Sequence, residues 1–338
     1  MSPGAATLAR MPPEDDAATP AATVLEALCV QTESQQEYSD PTLERMSELL
    51  TGLGRPGNQW LIVERVPNRD EHFFQTFRTS ATHYDVEIRE GSEATHVATA
   101  AEGVQSVLDL LRSWHQEDDA WRSAAQWRPY LESDFRTAPD PELFEEAVEV
   151  ARRILAEGFR PTWREVASDL VDHFDDGGAG GLALVYAQAE EIVEPLWTER
   201  VAEQQTWPEH TDCDNLREAF AALDEEGIVA RADFACCNRG GHTEIGEFLK
   251  PESIGYVFFH YQDTERAAEG GPLMLRYGAA SDSGDAVAVG TRIVERVRAA
   301  GLPVEWNRDP DTTISVGPLQ WRNRLPGTPG AGAWPGQR

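Results

Sequence analysis

At 338 residues the chain is longer than one hydrophobic core ordinarily serves, so two or three units are expected. An apolar content of 41% excludes wholesale disorder, and a net charge of -30, from 29 basic against 59 acidic residues, repels phosphate backbones and excludes nucleic acid as a direct partner. No stretch reaches the ~18 uninterrupted apolar residues of a membrane helix, no signal-peptide core is visible, and four cysteines are too few for a disulfide scaffold, so a cytoplasmic protein is expected.

Residues 1–20 and 326–338 are rich in Pro, Gly and Ala and read as tails outside the fold. The first unit, 21–135, opens with helical spacing of Leu43, Met46, Leu49 and Leu50, which "GRPGN" interrupts. Four alternating runs follow, at 60–66, 72–78, 83–89 and 95–100, and predict an antiparallel meander. Val104, Val107, Leu108, Leu111 and Trp114 then return to helical spacing and supply one apolar face to lie across that sheet.

The segment 140–205 is acidic and helical. Asp140 before Pro141 marks a helix entry, and Leu143, Phe144, Ala147, Val148, Ala151, Ile154 and Leu155 form one broad apolar stripe ending near Gly158. A second helix starts at the capping box Thr162 to Glu165, and a third must bend or restart at Pro195.

The third unit, 206–325, predicts a helix over Leu216, Phe220 and Leu223 closed by Gly227, then a strand over 228–235. Strands at 256–261 and 273–277, a short helix near Thr264, a helix on Val289, Ile293 and Val297, and a terminal hairpin of 304–306 with 313–316 complete it. The fold class is therefore α+β: two units of mixed or antiparallel sheet with helices on one face, joined by the acidic helical segment.

Candidate chemistry centres on "DFACCNRGGHTEIGEF", residues 233–248. Cys213, Cys236, Cys237 and His242 are soft enough to hold a tetrahedral zinc, although adjacent cysteines lack the two-residue gap that wraps a knuckle around the metal. Alternatively Cys236 or Cys237 is a nucleophile, with His260 or His242 as base and Asp263 as orienting carboxylate. Asp263 also stands where a helix N-cap belongs, and the loop is equally a plain turn with small buried thiols. Individual arginines carry no functional weight here, since only Lys250 is lysine and the bias resembles a coding preference.

The stretches "TDCDNLREAFAALDEEGIVARADFACCNRGGHTEIG", "GYVFFHYQDTERAAEGG" and "AGLPVEWNRDPDTTISV" resemble a bacterial domain-of-unknown-function family of high-GC Gram-positive genomes, over 145–325. The resemblance implies that the paired cysteines continue as Cys-Cys-x-x-Cys-Gly, whereas Gly240 stands here in place of the third cysteine. The first unit is similar to small α+β modules that accompany immunity and secretion-chaperone-like proteins. Together these features lead to the expectation of a non-enzymatic protein-binding protein of immunity, chaperone or regulatory type, with an acidic surface for a basic or amphipathic protein partner, and with zinc binding and thiol chemistry as alternatives.

Overall fold

A computed structural model describes residues 23–116, 120–130, 139–175, 182–235, 238–281 and 283–336. The stretch 1–20 and both Cys236 and Cys237 lie outside the described residues.

The amino-terminal module runs β1 (Leu28–Thr32), β2 (Glu37–Ser39), α1 (Leu43–Gly52), β3 (Trp60–Arg65), β4 (His72–Arg78), β5 (His83–Glu90), β6 (Val97–Glu102), α2 (Gly103–His115), α3 (Ala120–Ala124) and β7 (Arg128–Pro129). Its strands form one antiparallel sheet in the order β2-β1-β3-β4-β5-β6-β7. Period-two alternation sends Leu61, Val63, Phe74, Val86 and Ile88 to one face, where Met46 and Leu50 of α1 and Leu111 and Trp114 of α2 close the core. The meander and the covering helix were legible in the sequence, while β1 and β2 were not anticipated. β2, at three residues, is too short to show a period, and β1, which alternates buried and half-buried over five, lies between β2 and β3 and pairs with both.

Three helices follow: α4 (Pro141–Glu157), α5 (Trp163–His173) and α6 (Tyr186–Gln204). Asp140 accepts from the Glu142 N–H, Gly158 ends α4 at φ 76°, and Thr162 and Glu165 exchange both capping-box bonds. The helix α6 runs through Pro195 without restarting. Ala147, Val150, Ala151, Leu155, Val166, Leu170, Val171 and Val193 form a core of their own, but Phe144, expected in that stripe, is 44% exposed. The stripe is broader than the surface available, because α5 and α6 cover only the side of α4 centred on Ala147 and Ala151. This bundle joins the first module where the Tyr186 N–H donates to the Gly54 carbonyl at 2.8 Å. Gly54 stands at φ +95° and a Cβ there would meet the Val185 side chain at 2.9 Å, so both its backbone and its bareness are used.

The carboxy-terminal module comprises α7 (Asp212–Glu225), β8 (Ile228–Arg231), α8 (Asn238–Glu244), a 3-10 turn over Ile245–Phe248, β9 (Gly255–Phe258), α9 (Tyr261–Ala268), β10 (Leu273–Ala279), α10 (Ala286–Ala299), β11 (Val304–Glu305) and β12 (Ile314–Val316). The sheet order is β11-β12-β10-β9-β8, with β8 parallel to β9 and the other pairs antiparallel. The whole chain is thus α+β. Along β9, Val257 joins the core shared with α7 and α10, whereas Tyr256 and Phe258 face the opposite way, toward His242 of α8.

Two expectations change. The strand expected over 228–235 ends at Arg231, because Asp233 and Ala235 adopt left-handed backbone at φ 49° and 61° and cannot continue a ladder. The carboxy-terminal stretch set aside as a tail returns to the core: Trp334 is 4% exposed and packs on Phe159, Phe220 and Phe259, with ring centroids 5.7, 5.9 and 5.8 Å away. Its Nε1 donates to Asn323 Oδ1 at 3.3 Å, and Asn323 in turn donates to the carbonyls of Glu157 and Gly158. One large aromatic outweighs the Pro and Gly around it, since full burial of such a ring is worth about 3 kcal/mol.

Candidate functional site

Because β8 and β9 are parallel, their carboxyl ends open on one side of the sheet, the place where open sheets of parallel strands bind ligands. The chain leaving β8 carries Asp233 and runs on to Cys236 and Cys237; the chain leaving β9 carries His260, Asp263 and Thr264.

Asp263 is fully buried and collects donors. Arg276 of β10 bonds its Oδ2, Arg266 reaches its Oδ1 at 3.1 Å, and the His260 backbone N–H donates to Oδ2 at 3.2 Å. His260, not Asp263, is the N-cap residue of α9; Asp263 stands at the third helical position and reaches back to it. The His260 ring is buried too, with Nδ1 3.1 Å from Asp263 Oδ2 but off the line a hydrogen bond needs. Burial lowers the His260 pKa, the Arg276 charge adds to that, and Asp263 opposes it. The base and orienter proposed for a thiol nucleophile are therefore neighbours.

Cys213 and His242, the two candidate zinc ligands among the described residues, are not brought together. Cys213 sits in α7 within the core on one face of the sheet, and burial pushes its thiol up to about 12, so it is held as a neutral thiol. His242 lies against the opposite face, its Nδ1 2.9 Å from the Tyr256 hydroxyl and its ring edge-on to Phe258 at 5.2 Å. The sheet stands between them. Among the described residues no three His, Cys, Asp or Glu side chains gather around one point fit for a metal ion.

A second polar group at the same strand ends went unseen in the sequence. Asp233 accepts from the Thr264 hydroxyl at 2.7 Å, and Arg160 lies 3.5 Å from its Oδ2 while bonding Asp169 of α5. Burial raises the Asp233 carboxyl, against the pull of Thr264 and Arg160. Burial also pushes Glu157 up to about 8, with the Asp233 charge adding to it. Burial raises both carboxyls and the Asp233 charge acts on Glu157, and perturbed groups of this kind cluster at functional sites. The arginines that organise both groups, Arg160 and Arg276, are the residue type to which composition assigned no weight. Asp233 falls inside the run expected as a strand over 228–235, and its left-handed backbone at φ 49° leaves no mark on that alternation.

A different feature lies on the outside of the helical segment. Phe144, Pro139, Pro141 and Ile192 floor a groove of about 500 Å³ between α4 and α6, rimmed by Glu145 and Glu191. Glu142, Glu146 and Glu149 of α4 and Glu194 of α6 are exposed nearby.

A family profile covers both features. It is a domain of unknown function, DUF6891, and it matches residues 140–325, from the N-cap of α4 to the last residue of the α4–α6 core. The chain belongs to the DUF6891 family. No curated protein and no solved structure matches it. The match begins at Asp140, where the sequence resemblance was placed from 145, and it contains the strand-end cluster and, Pro139 apart, the Phe144 groove. The seven-stranded module and Trp334 fall outside the DUF6891 boundaries. Among the described residues no helix of this DUF6891 protein is long and apolar enough to cross a membrane.

Proposed function

We propose that this DUF6891 protein works by binding another protein, taking a basic amphipathic helix into the groove between α4 and α6. The observation that carries the reading is Phe144, an aromatic ring 44% exposed on a helix whose Ala147, Val150, Ala151 and Leu155 are buried. Exposed aromatics in an apolar depression are the usual anchors of an interface, and a groove between two helices suits a third laid along it. Charge selects the occupant: Glu145 and Glu191 rim the groove in a chain of net charge -30, which attracts and steers a basic face. A cytoplasmic, reducing setting fits Cys213, a buried free thiol.

The test uses a labelled fourteen-residue Leu/Lys amphipathic helix and its Leu/Glu counterpart, followed by fluorescence anisotropy. The basic peptide is expected to bind saturably, and Phe144→Ala, which leaves the charge untouched, is expected to weaken it at least tenfold. Equal binding to Phe144→Ala would reduce the attraction to a general acidic surface and overturn the reading.

A second reading, thiol chemistry, is favoured by His260 lying 3.1 Å from Asp263 at the carboxyl end of β9, beside β8, whose chain continues in sequence to Cys236 and Cys237. It is checked by the alkylation rate of Cys236 and Cys237 at neutral pH: activation by His260 requires a rapid rate that His260→Gln slows, and equal rates would end it.

A further inference from the structure

We propose a second docking site, independent of the Phe144 groove: the outer edge of β6, which accepts an extended, basic segment of a protein partner as an added strand. Among the described residues no strand pairs with β6 beyond β7, which stops early. Its two residues pair only with Val97 and Ala98, and Gln126, which that register would set against Ala100, accepts instead from the Thr99 hydroxyl at 3.1 Å. The Tyr130 N–H donates to the His96 carbonyl at 3.1 Å, so His96, Ala98, Ala100 and Glu102 turn their backbone groups toward the β7 side, while Val97, Thr99 and Ala101 turn theirs toward β5. Beyond β7, the Ala100 N–H and C=O and the Glu102 N–H therefore face outward; the Glu102 carbonyl is taken by the Ser106 hydroxyl at 2.7 Å.

Natural sheets guard such an edge with long charged side chains, prolines or bulges. Here Ala100 stands bare and exposed, and a groove of about 740 Å³ runs beside it, walled by Leu110 of α2 and Ala124 of α3. Ala100 on the strand side and Ala124 and Ala125 on the α3 side keep the groove wide enough for one extended chain. Glu102 and Asp109 line the groove and favour a basic residue there, with Arg128 at the end where β7 departs. A second copy of this chain fits poorly, since it brings another net charge of -30 to the contact. Main-chain bonds to Ala100 and Glu102 supply the affinity, and the acidic side chains select the partner's sign.

The probe is a labelled ten-residue peptide alternating valine and lysine, compared with a twin N-methylated at alternate amides, which keeps charge and side chains but loses backbone donors. The intact full-length protein is expected to bind the first and to bind the twin at least tenfold more weakly. Ala100→Pro, placed where the N–H faces outward and an edge strand tolerates proline, is expected to weaken binding at least tenfold. If that variant fails to fold, Ala124→Trp, which fills the groove from an exposed position, is expected to do the same. Hydrogen exchange at Ala100 and Glu102 should slow on peptide binding. Equal binding of the two peptides, or no effect of either variant, overturns the site. So does weakening by Phe144→Ala instead, which places the peptide in the helix groove. Slow exchange at Ala100 without peptide, constant or rising with protein concentration, assigns the edge to the chain's own residues or to a second copy and also overturns the proposal.

Discussion

Arg276→Met takes a guanidinium away from Asp263, a carboxylate with no exposed surface and hence no water to replace it. The Arg276 side chain is itself only 11% exposed, so the pair belongs to the buried class, in which removing one partner costs about 3–5 kcal/mol. Arg266 at 3.1 Å and the His260 N–H at 3.2 Å remain, which places the expected loss near ~3 kcal/mol. In a unit of this size each kcal/mol shifts Tm by about 2–4 °C, so a fall of ~6–12 °C is expected. Urea unfolding at pH 7 measures it, with an unchanged slope and a lower midpoint. Asp263→Asn combined with Arg276→Met removes both charges and keeps an acceptor for the His260 N–H, and it should recover to within ~1 kcal/mol of the parent. The parent's advantage over Arg276→Met should persist at high salt, because a buried pair is screened little. A loss below ~1 kcal/mol, or a double variant no better than the single, would refute the assignment of Asp263 as a charge held by Arg276.

Three further outcomes follow from the packing and titration of single groups. Trp334→Ala should lower stability by about 3–5 kcal/mol in urea unfolding, and a chain ended at Leu325 should lose at least as much; a carboxy-terminal stretch without structural weight would change neither. Glu157 is pushed from 4.5 up to about 8 by burial, so the folded state holds a proton that the unfolded chain releases. The stability it contributes is complete below about 4.5 and lost as pH rises through 8, so the urea midpoint should fall over that window, and Glu157→Gln should flatten part of the fall. An unchanged pH slope in that variant would contradict the placement of Glu157. Cys213, buried and pushed up to about 12, should in a Cys29→Ser/Cys236→Ser/Cys237→Ser background react with iodoacetamide only as fast as the protein unfolds; faster labelling would show that α7 opens locally.

Signals carried by adjacent residues were readable in advance. Asp140 and Pro141 start α4, Gly158 ends it in left-handed backbone, and Thr162 with Glu165 caps α5, because each needs only a turn of chain to satisfy its own backbone groups. The β3–β6 meander was visible for the same reason: each strand pairs with the next one in sequence. The candidate site was half legible. His260 and Asp263 lie on one helix turn and stand 3.1 Å apart, whereas Asp233, Arg160 and Glu157 meet only after β8 has been laid beside β9 and α4 has docked above their ends. Phe144 and Trp334 were read the wrong way round, one as core and one as tail, since neither fate depends on its neighbours in sequence.

What the sequence by itself determined is the α+β class, the acidic character, the helix boundaries and the local hairpins, because backbone capping, period and net charge are properties of short windows or of composition. What only the tertiary structure decided is which faces are covered and which distant charges meet. The parallel pairing of β8 and β9 gathers Asp233, His260 and Asp263 at one end, the same sheet holds Cys213 and His242 apart, and the short reach of β7 leaves Ala100 open. Burial and long-range pairing are set by the surface each element finds opposite it, and an apolar stripe or a lone tryptophan carries no record of that surface.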